Sequence, residues 1–259
     1  MDSDYQARFS GIARLFGKAG ADRLRRAHVA VVGIGGVGSW SVEALARSGI
    51  GQFTLIDLDD VCITNVNRQI PALSGTFGRP KVEVMAERVA AIHPGARITA
   101  TRAFFTASTA DTLLGAGFDA VLDAIDPLDQ KCHLIAGCRR RGVPLVTVGG
   151  TGGRRDPLLV RTADLAQATH DSLLQKVRKR LRAEHGFERG KDVRFGVDCV
   201  FSTEPQIYPQ SDGTVCEVRK PGSDLRLDCR SGYGTAAFVT GAFGFAAAAL
   251  VVRRLAAFA

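Results

Sequence analysis

The sequence predicts an α/β protein with a Rossmann-like, mostly parallel sheet flanked by helices. The first observation is a strand-like run, Val29–Val32, that enters a glycine cluster and is followed by a helix-forming segment over 41–47. The second is the regular alternation of strand-like and helix-like segments up to residue 148, which is typical of right-handed βαβ crossovers. The third is ordinary globular composition over 259 residues, 46% hydrophobic and 23% charged, which suits a chain with a large buried core.

The individual elements follow from apolar periodicity and from turn residues. Residues 5–28 predict one or two short helices, and Pro80 and Pro94 bracket a helix as prolines do at helix boundaries. Strands are expected at 29–32, 52–56, 97–104, 119–124 and 145–148, and helices at 41–47, 81–92, 107–116 and 127–140. Ligands of such sheets bind at the carboxyl ends of the strands, where Gly33–Gly38, Asp57 and Asp126 all fall.

The composition changes after residue 150. We interpret the chain as one domain, 1–259, with a nucleotide-binding core over 1–150, a substrate-side insertion over 151–235 and a C-terminal helix over 236–259. Within the insertion, residues 197–235 alternate short apolar runs with Pro, Gly and Ser, which predicts antiparallel or irregular structure.

The net charge of +8 favours polyanionic partners but does not choose among them. A basic run, Lys176–Arg182, lies on a segment whose apolar residues share one helical face. Two interpretations stay open for the opposite face, a solvated helix surface or a contact with a phosphate backbone. Arg14 presents the same choice between solvent and a phosphate reached across a dimer interface.

The stretch from Ser231 to Val252 contains no charged residue and is long enough to span a membrane. Its many alanines and glycines favour a buried helix that completes the sheet core over a membrane anchor. The six cysteines include no Cys-x-x-Cys pair, which argues against a structural zinc site and a disulfide framework. The polar N-terminus lacks an apolar signal core, so we expect a cytoplasmic protein with free thiols.

The glycine cluster Gly33-x-Gly35-x-x-Gly38 predicts a nucleotide site at a strand–turn–helix junction. Glycine backbones let phosphate oxygens approach, and a helix N-terminus offers free N–H groups and a positive dipole end. Asp57, at the end of the next strand, is placed to accept hydrogen bonds from a ribose. A dinucleotide, a mononucleotide and a turn that binds nothing all remain compatible with this motif alone.

Two cations favour a triphosphate. Arg68 and Lys81 follow the ribose carboxylate within about 25 residues, and both charges suit a reaction in which negative charge builds on the α-phosphate. Asp126, directly after the fourth strand, is placed to hold a Mg²⁺ that bridges phosphate oxygens. The pattern predicts adenylation of a carboxylate and disfavours a nicotinamide-dependent reductase.

An ordered series of motifs over residues 30–150 resembles the ubiquitin-activating enzyme superfamily, in its bacterial ThiF/MoeB-type branch. The series comprises the glycine cluster, Asp57-x-Asp59, Asn67-Arg68-Gln69, the segment 78–83 and 123–126. The resemblance implies an ATP- and Mg²⁺-dependent homodimer with Arg68, Lys81 and Asp126 as catalytic residues and Asp126 on the metal side. It implies nucleotide contacts from Gly33, Gly35, Gly36, Gly38, Asp57, Asp59, Asn65, Asn67, Arg68, Gln69, Lys81 and Asp126.

Two further features refine the resemblance. Sulfur-carrier-activating members of the family usually have two Cys-x-x-Cys pairs, which this sequence lacks. Segments 147–153, 196–204 and 208–213 instead resemble tRNA-modifying members, which implies a tRNA bearing N6-threonylcarbamoyladenosine as substrate. ATP would adenylate the threonyl carboxylate, and the carbamoyl oxygen would close a ring and expel AMP. The alternative is adenylation of a carrier-protein C-terminus with a sulfur-transfer partner.

Cys199 lies within one of these segments and is therefore the cysteine that we consider first as a reactive thiol. A buried structural cysteine is the competing interpretation, because a reactive thiolate needs an accessible, electropositive setting.

Overall fold

A seven-stranded sheet forms the centre of the chain in a computed structural model that describes residues 3–190, 192–210, 212–217 and 233–257. The strands are β1 (His28–Val32), β2 (Gln52–Ile56), β3 (Arg97–Thr101), β4 (Ala120–Asp123), β5 (Leu145–Val148), β6 (Val160–Asp164), β7 (Asp198–Ser202), β8 (Tyr208–Pro209) and β9 (Val215–Cys216). The helices are α1 (Ser3–Arg26), α2 (Gly36–Arg47), α3 (Lys81–Ile92), α4 (Ala110–Leu114), α5 (Leu128–Arg141), α6 (Ser172–Glu184) and α7 (Ala237–Ala256).

The strand order is β3-β2-β1-β4-β5-β7-β6, and every neighbouring pair is parallel except β6 with β7. This confirms the predicted Rossmann-like α/β class. The order reverses between β1 and β4, where Val32 lies beside both Ile56 of β2 and Asp123 of β4. The carboxyl ends of three strands therefore meet at the point where such sheets bind ligands.

Residues of β1 alternate between two hydrophobic cores, one on each face of the sheet. Val29 and Val31 pack with α2, α3 and α7, whereas Ala30 and Val32 pack with α5 and α6. This alternation follows the two-residue period of a strand, and both faces are apolar because helices cover both. The unbroken apolar run that predicted β1 is a consequence of this double burial.

Helix α7 completes the first of these cores. Phe243 and Val251 are fully buried, and Gly244 lies so close to α2 that a Cβ there would stand 2.8 Å from the carbonyl oxygen of Val37. By length and composition α7 could cross a membrane, but half of its most apolar window is buried inside the protein. The expected core helix is confirmed over Ala237–Ala256. Residues 231–232 and 258–259 lie outside the described part of the chain.

The prediction of antiparallel or irregular structure over 197–235 is wrong for β7, because this strand pairs in parallel with β5. Strand β7 lies inside the main sheet, parallel to β5 and antiparallel to β6, and Cys199–Phe201 are buried. A short apolar run between glycine- and proline-rich segments does not by itself predict a fully buried strand. The antiparallel pair β8–β9 agrees with the prediction, and residues 218–232, with Cys229, lie outside the described residues.

Element boundaries differ from the predicted ones by a few residues. Helix α2 begins at Gly36 and not near residue 41, so its first turn is made from the glycine motif itself. Strand β3 ends at Thr101 and α4 covers only Ala110–Leu114. Helix α1 is kinked at Gly17, which has a left-handed φ of 72°. The prediction of one or two helices there is consistent with this kink.

Gly38→Ala should destabilise the fold, because a Cβ at this position would lie 1.8 Å from the carbonyl oxygen of Gly33. We expect the free energy of unfolding in urea to fall by about 3 kcal/mol or more. Gly11→Ala is the control, since it adds a methyl group to an exposed helical site with no atom within 4 Å. It should raise stability by about 0.5–1 kcal/mol. Equal stability of the two variants would contradict this account of the glycine turn.

Candidate nucleotide-binding site

A cleft of about 1380 Å³ opens at the carboxyl ends of β1, β2 and β4. Its walls include the glycine turn, the end of β2, the loop over 62–69, the start of α3, the loops over 103–106 and 124–127, and the end of β5. The sequence-predicted residues that line it are Gly33, Gly35, Gly36, Asp57, Asp59, Asn65, Asn67, Arg68, Gln69, Lys81 and Asp126. Gly38 does not line it, and Arg14 is exposed on α1 away from it.

The glycines of the turn have different structural roles. Gly33 has a left-handed φ of 90°, and a Cβ there would lie 2.7 Å from the carbonyl oxygen of Ala124. Gly35 has no atom within 4 Å of a built Cβ, so its backbone faces open space, and Gly36 begins α2 with unpaired first-turn N–H groups. The position of Gly38 gives it a packing role against Gly33 and no surface on the cleft.

The Asp57 carboxylate is held by the backbone at the end of β2. Oδ2 accepts a hydrogen bond from the Ile34 N–H at 2.6 Å, and Oδ1 accepts one from the Asp59 N–H at 2.8 Å. Burial raises the pKa of Asp57, and the charge of Lys81 and these two hydrogen bonds oppose the rise. A carboxylate has about four lone-pair sites, so Asp57 keeps acceptor capacity for a hydroxyl group in the cleft.

Lys81 places a nearly buried cation in the cleft wall. Its side chain is 6% exposed, and Nζ lies 2.8 Å from Oδ2 of Asp59, whose own side chain is 59% exposed. The Lys81 N–H also donates to the Asp59 carbonyl at 3.0 Å, so both ends of the residue are fixed where α3 begins after Pro80. Because the ammonium has three donors, it retains capacity toward a ligand beside its bond to Asp59.

The loop over 62–69 presents Arg68 to the cleft. Asn65 is buried, and its Oδ1 accepts the Cys62 N–H at 3.0 Å, which shapes the turn. The carbonyl oxygen of Arg68 accepts hydrogen bonds from Trp40 Nε1 at 3.0 Å and Thr240 Oγ1 at 3.3 Å. Helices α2 and α7 therefore fix the Arg68 backbone while its guanidinium group faces the cleft.

Asn67 and Gln69 flank this arginine differently. Asn67 Oδ1 accepts from Arg68 Nη1 at 3.0 Å, and Nδ2 donates to the carbonyl oxygen of Thr235 at 2.8 Å. Gln69 is buried, and its Oε1 has no hydrogen-bond partner among the described residues. A buried acceptor left unpaired costs about 1–3 kcal/mol, so a donor from a ligand would relieve this cost.

Asp126 lies exposed in the cleft, and no hydrogen bond from the described residues engages its carboxylate. Desolvation by the surrounding cleft walls raises the pKa of Asp126, and the positive charges of Lys131 and Arg68 oppose the rise. Within the described ranges there is no group of three or more His, Cys, Asp or Glu side chains suited to a metal ion.

The structure adds a buried ion pair that the sequence analysis missed. Asp123 and Lys131 are fully buried, with Nζ and Oδ2 3.0 Å apart. Thr147 Oγ1 donates to Asp123 Oδ2 at 2.7 Å, and Lys131 Nζ donates to the carbonyl oxygen of Ile125 at 2.9 Å. These bonds hold the loop that carries Asp126. A lysine at the start of a mostly apolar stretch, Lys131–Cys138, was the available signal.

Asp171 supports the segment that follows β5, where Gly149 and Thr151 also line the cleft, and the sequence analysis missed it as well. Its Oδ2 accepts the Gly150 N–H at 2.9 Å, and its Oδ1 caps α6 through the Leu174 N–H at 2.8 Å. A Cβ at Gly149 would lie 2.3 Å from Oδ2 of Asp171, which explains a glycine there. The first turn of α6 is thereby fixed to the end of β5.

The cysteines differ in their surroundings. Cys199 is fully buried, and burial raises its pKa far above the ordinary value, which favours the structural interpretation over a reactive thiolate. Cys62 is exposed and lines the cleft, and hydrogen bonds from Thr64 lower its pKa.

The sheet order, the glycine turn and the carboxylate at the end of β2 define the chain as a Rossmann-like α/β protein with a nucleotide cleft. A model of the ThiF family matches residues 9–258, and the chain belongs to this family.

Within this family, the chain is most informatively compared with relatives whose names state an activity. The chain is 48% identical over 252 residues to the tRNA threonylcarbamoyladenosine dehydratase of Escherichia coli strain K12, covering 97% of this chain and 94% of that one. A solved structure named TcdA (CsdL) superposes with a TM-score of 0.90 at 46% identity, covering 98% and 96% of the two chains. A structure of the E. coli dehydratase in complex with ATP gives a TM-score of 0.86 at 44% identity, with the same coverage.

Lys131→Met should lower the free energy of unfolding by about 3–5 kcal/mol, because it leaves the Asp123 carboxylate buried without its cation. Adding Asp123→Leu should recover part of this loss, since no uncompensated charge then remains. Urea unfolding of the two single variants and the double variant forms the thermodynamic cycle. Strictly additive losses would show that the two groups do not act as a pair.

Proposed function

We propose that this chain is an ATP-dependent dehydratase that cyclises N6-threonylcarbamoyladenosine in tRNA through an acyl-adenylate. The observation that carries the proposal is the arrangement of Arg68 and Lys81 in the cleft wall near a glycine turn and the fixed Asp57 carboxylate. The identity to the named dehydratase of E. coli, which extends over both chains almost completely, supports the choice of substrate.

The roles follow from the contacts. The glycine turn and the first turn of α2 bind phosphate oxygens, and Asp57 accepts a hydrogen bond from a ribose hydroxyl. Asn65 shapes the loop, and Asn67 orients Arg68 through a hydrogen bond. The unpaired Oε1 of Gln69 accepts a hydrogen bond from a donor group of the nucleotide. Asp59 contributes by holding Lys81 in place.

The reaction proceeds in two displacements. A threonyl carboxylate oxygen attacks the α-phosphorus, and the bond to the pyrophosphate oxygen breaks, while Arg68 and Lys81 stabilise the charge that develops on the α-phosphate. The carbamoyl oxygen then attacks the activated carbonyl carbon and AMP departs with the former carboxylate oxygen. One proton leaves the urea group. The base has lost one water, and ATP has become AMP and pyrophosphate.

The donor set fits a magnesium ion that arrives with the nucleotide. Asp126 offers a carboxylate that the described residues leave free, and Mg²⁺ is usually bound by one or two carboxylates together with substrate phosphates. Asp126 would hold the ion, and the ion would supply charge neutralisation on the phosphate oxygens. Asp123 and Lys131 would keep Asp126 in position through the loop they anchor.

We further propose a cytoplasmic homodimer. Helices α1 and α7 pack against each other, and both carry exposed apolar side chains that support a contact between two copies of the chain. Leu15, Phe238 and Phe245 are 76%, 60% and 50% exposed. A cytoplasmic location follows from the tRNA substrate, and the packing of α7 into the sheet core supports its role as a core helix.

The alternative function is adenylation of a carrier-protein C-terminus, with a sulfur-transfer protein as partner. It would use the same cleft, so Arg68 and Lys81 do not discriminate between the two. The lack of Cys-x-x-Cys pairs in the sequence favours the tRNA substrate. The deciding experiment is mass spectrometry of nucleosides after incubating tRNA with enzyme and ATP, which should show N6-threonylcarbamoyladenosine minus one water. An unchanged nucleoside beside an adenylated carrier protein would overturn the proposal.

Arg68→Ala and Lys81→Ala should each lower kcat for ATP-dependent dehydration by about 100- to 1000-fold, since each removes a charged donor from the α-phosphate. Nucleoside mass spectrometry and pyrophosphate release measure this loss. The control is Arg47→Ala, which removes an exposed arginine that pairs with Glu43 outside the cleft. Near-wild-type turnover in either cleft variant would remove that residue from the catalytic set.

Asp126→Asn should raise the magnesium concentration needed for half-maximal activity by at least about tenfold, the lower range for perturbed metal sites. A magnesium titration of initial rates at saturating ATP and tRNA measures it. Asp111→Asn, at an exposed aspartate that pairs with Arg141, is the control for the loss of one negative charge. A superimposable titration curve for Asp126→Asn would mean that this carboxylate does not hold the ion.

A further inference from the structure

The positive charge of the chain is concentrated on and after helix α6. Residues 172–196 contain eight Lys or Arg and three Asp or Glu, against a net charge of +8 for the whole chain. The adenylation chemistry proposed above uses none of the cations that the structure describes in this stretch, since none of those lines the cleft. Their position therefore requires a separate explanation.

Helix α6 is fixed at two points to segments that contribute lining residues to the cleft, the end of β5 and the start of α5, and we call this side of the cleft its rim. At its first turn, Asp171 binds the Gly150 N–H in the wall formed by the end of β5. Two turns later, Arg180 forms an ion pair with Asp129, which lies three residues after Asp126 in the sequence. The segment between these two contacts spans about 12 Å at 1.5 Å per residue, so it lies between the two segments that contribute to the cleft.

Lys176 and Lys179 lie in this segment and point to solvent. Both are exposed, and neither forms an ion pair among the described residues. The other face of the helix is committed to the core, because Leu174, Val177 and Leu181 are fully buried. The basic surface is thus the outer face of a firmly packed helix.

Further cations extend the surface away from the rim. The guanidinium of Arg139 lies 4.2 Å from the ring centroid of Phe187, and that of Arg182 lies 5.2 Å from the ring of Phe195. The two rings pack edge to face at 4.8 Å. Stacking on aromatic rings limits the motion of an arginine while its N–H groups stay available to anions.

We propose that the outer face of α6, with Lys176 and Lys179 at its centre, binds the phosphate backbone of the tRNA whose modified base enters the cleft. This inference rests on the proposed function. A row of cations beside the cleft suits a polyanion that continues past the reacting nucleotide, and phosphate contacts fix register while the cleft recognises the base. Such contacts would hold the rest of the tRNA, because the cleft has to receive both the ATP and the reacting nucleotide.

The same face is poorly suited to an anionic membrane. A helix that binds a lipid surface inserts its apolar face, and the apolar face of α6 is buried within the protein. The exposed positions of α6 near the rim are Ser172, Gln175, Lys176 and Lys179, which are all polar. RNA is therefore the occupant that both the charge and the packing favour.

The test is the double variant Lys176→Gln/Lys179→Gln in the full-length protein. Glutamine keeps helix propensity and removes two charges at exposed sites, so the fold should be preserved. Fluorescence anisotropy with tRNA, at several salt concentrations, should show weaker binding and a plot of log K against log salt whose slope is reduced by about 2, or about 1 per phosphate contact. KM for tRNA should rise, whereas the Kd for ATP should not change.

Arg26→Gln/Arg97→Gln is the matched control, because it removes two exposed cations from the end of α1 and from β3. It should leave the salt slope at the wild-type value. An unaltered slope and affinity in the α6 variant, with wild-type enzyme that dehydrates tRNA normally, would overturn the inference and leave the proposed function intact. Wild-type enzyme that neither binds nor dehydrates the tRNA would overturn both. Binding to anionic vesicles that the variant loses, without loss of tRNA affinity, would also overturn the inference.

Discussion

A buried ion pair between Asp123 and Lys131 fixes the edge of the sheet on which the cleft is built. Both side chains are inaccessible to solvent, and each also bonds to the backbone between Asp123 and Asp126. Removing two charges from water costs several kcal/mol per ion, and only close pairing with further hydrogen bonds compensates for it. Thr147 supplies one of these bonds from β5. The pair therefore makes two neighbouring strands and the Asp126 loop a single unit.

This rigid edge explains how the cleft keeps its charges in place. The glycine turn can approach the Asp126 loop closely only because Gly33 has no side chain, and a Cβ there would contact Ala124. Asp57 is fixed by two backbone N–H groups, and Lys81 by Asp59. Charged groups held in advance stabilise a developing charge without a reorganisation cost at the moment of reaction. The sheet thus supplies what a phosphate-activating site needs before any ligand binds.

Much of this could be predicted from the sequence, because the information was local. Periodicity located β1, β2 and α3, and the glycine motif, Asp57, Arg68 and Lys81 each stand at a junction that the order of elements defines. Strand β7 was missed because its burial comes from strands β5 and β6, to which it pairs across 34 or more residues. The role of Gly38 was also beyond the sequence, since one glycine motif serves both packing and ligand approach.

Long-range polar contacts account for the rest. Asp171 lies in a segment of ordinary turn composition, and only the fold shows that its carboxylate joins Gly150 to the first turn of α6. That contact changes the meaning of the basic run that follows it. In the sequence, Lys176–Arg182 is compatible with any solvated helix. Asp171 ties the helix to the segment after β5 and Arg180 ties it to the start of α5, so its outer face lies beside two segments that contribute to the cleft. A substrate that carries its own phosphates would meet these cations before its reacting group reaches Arg68 and Lys81, so that the charges of the surface and of the cleft act on one ligand in succession.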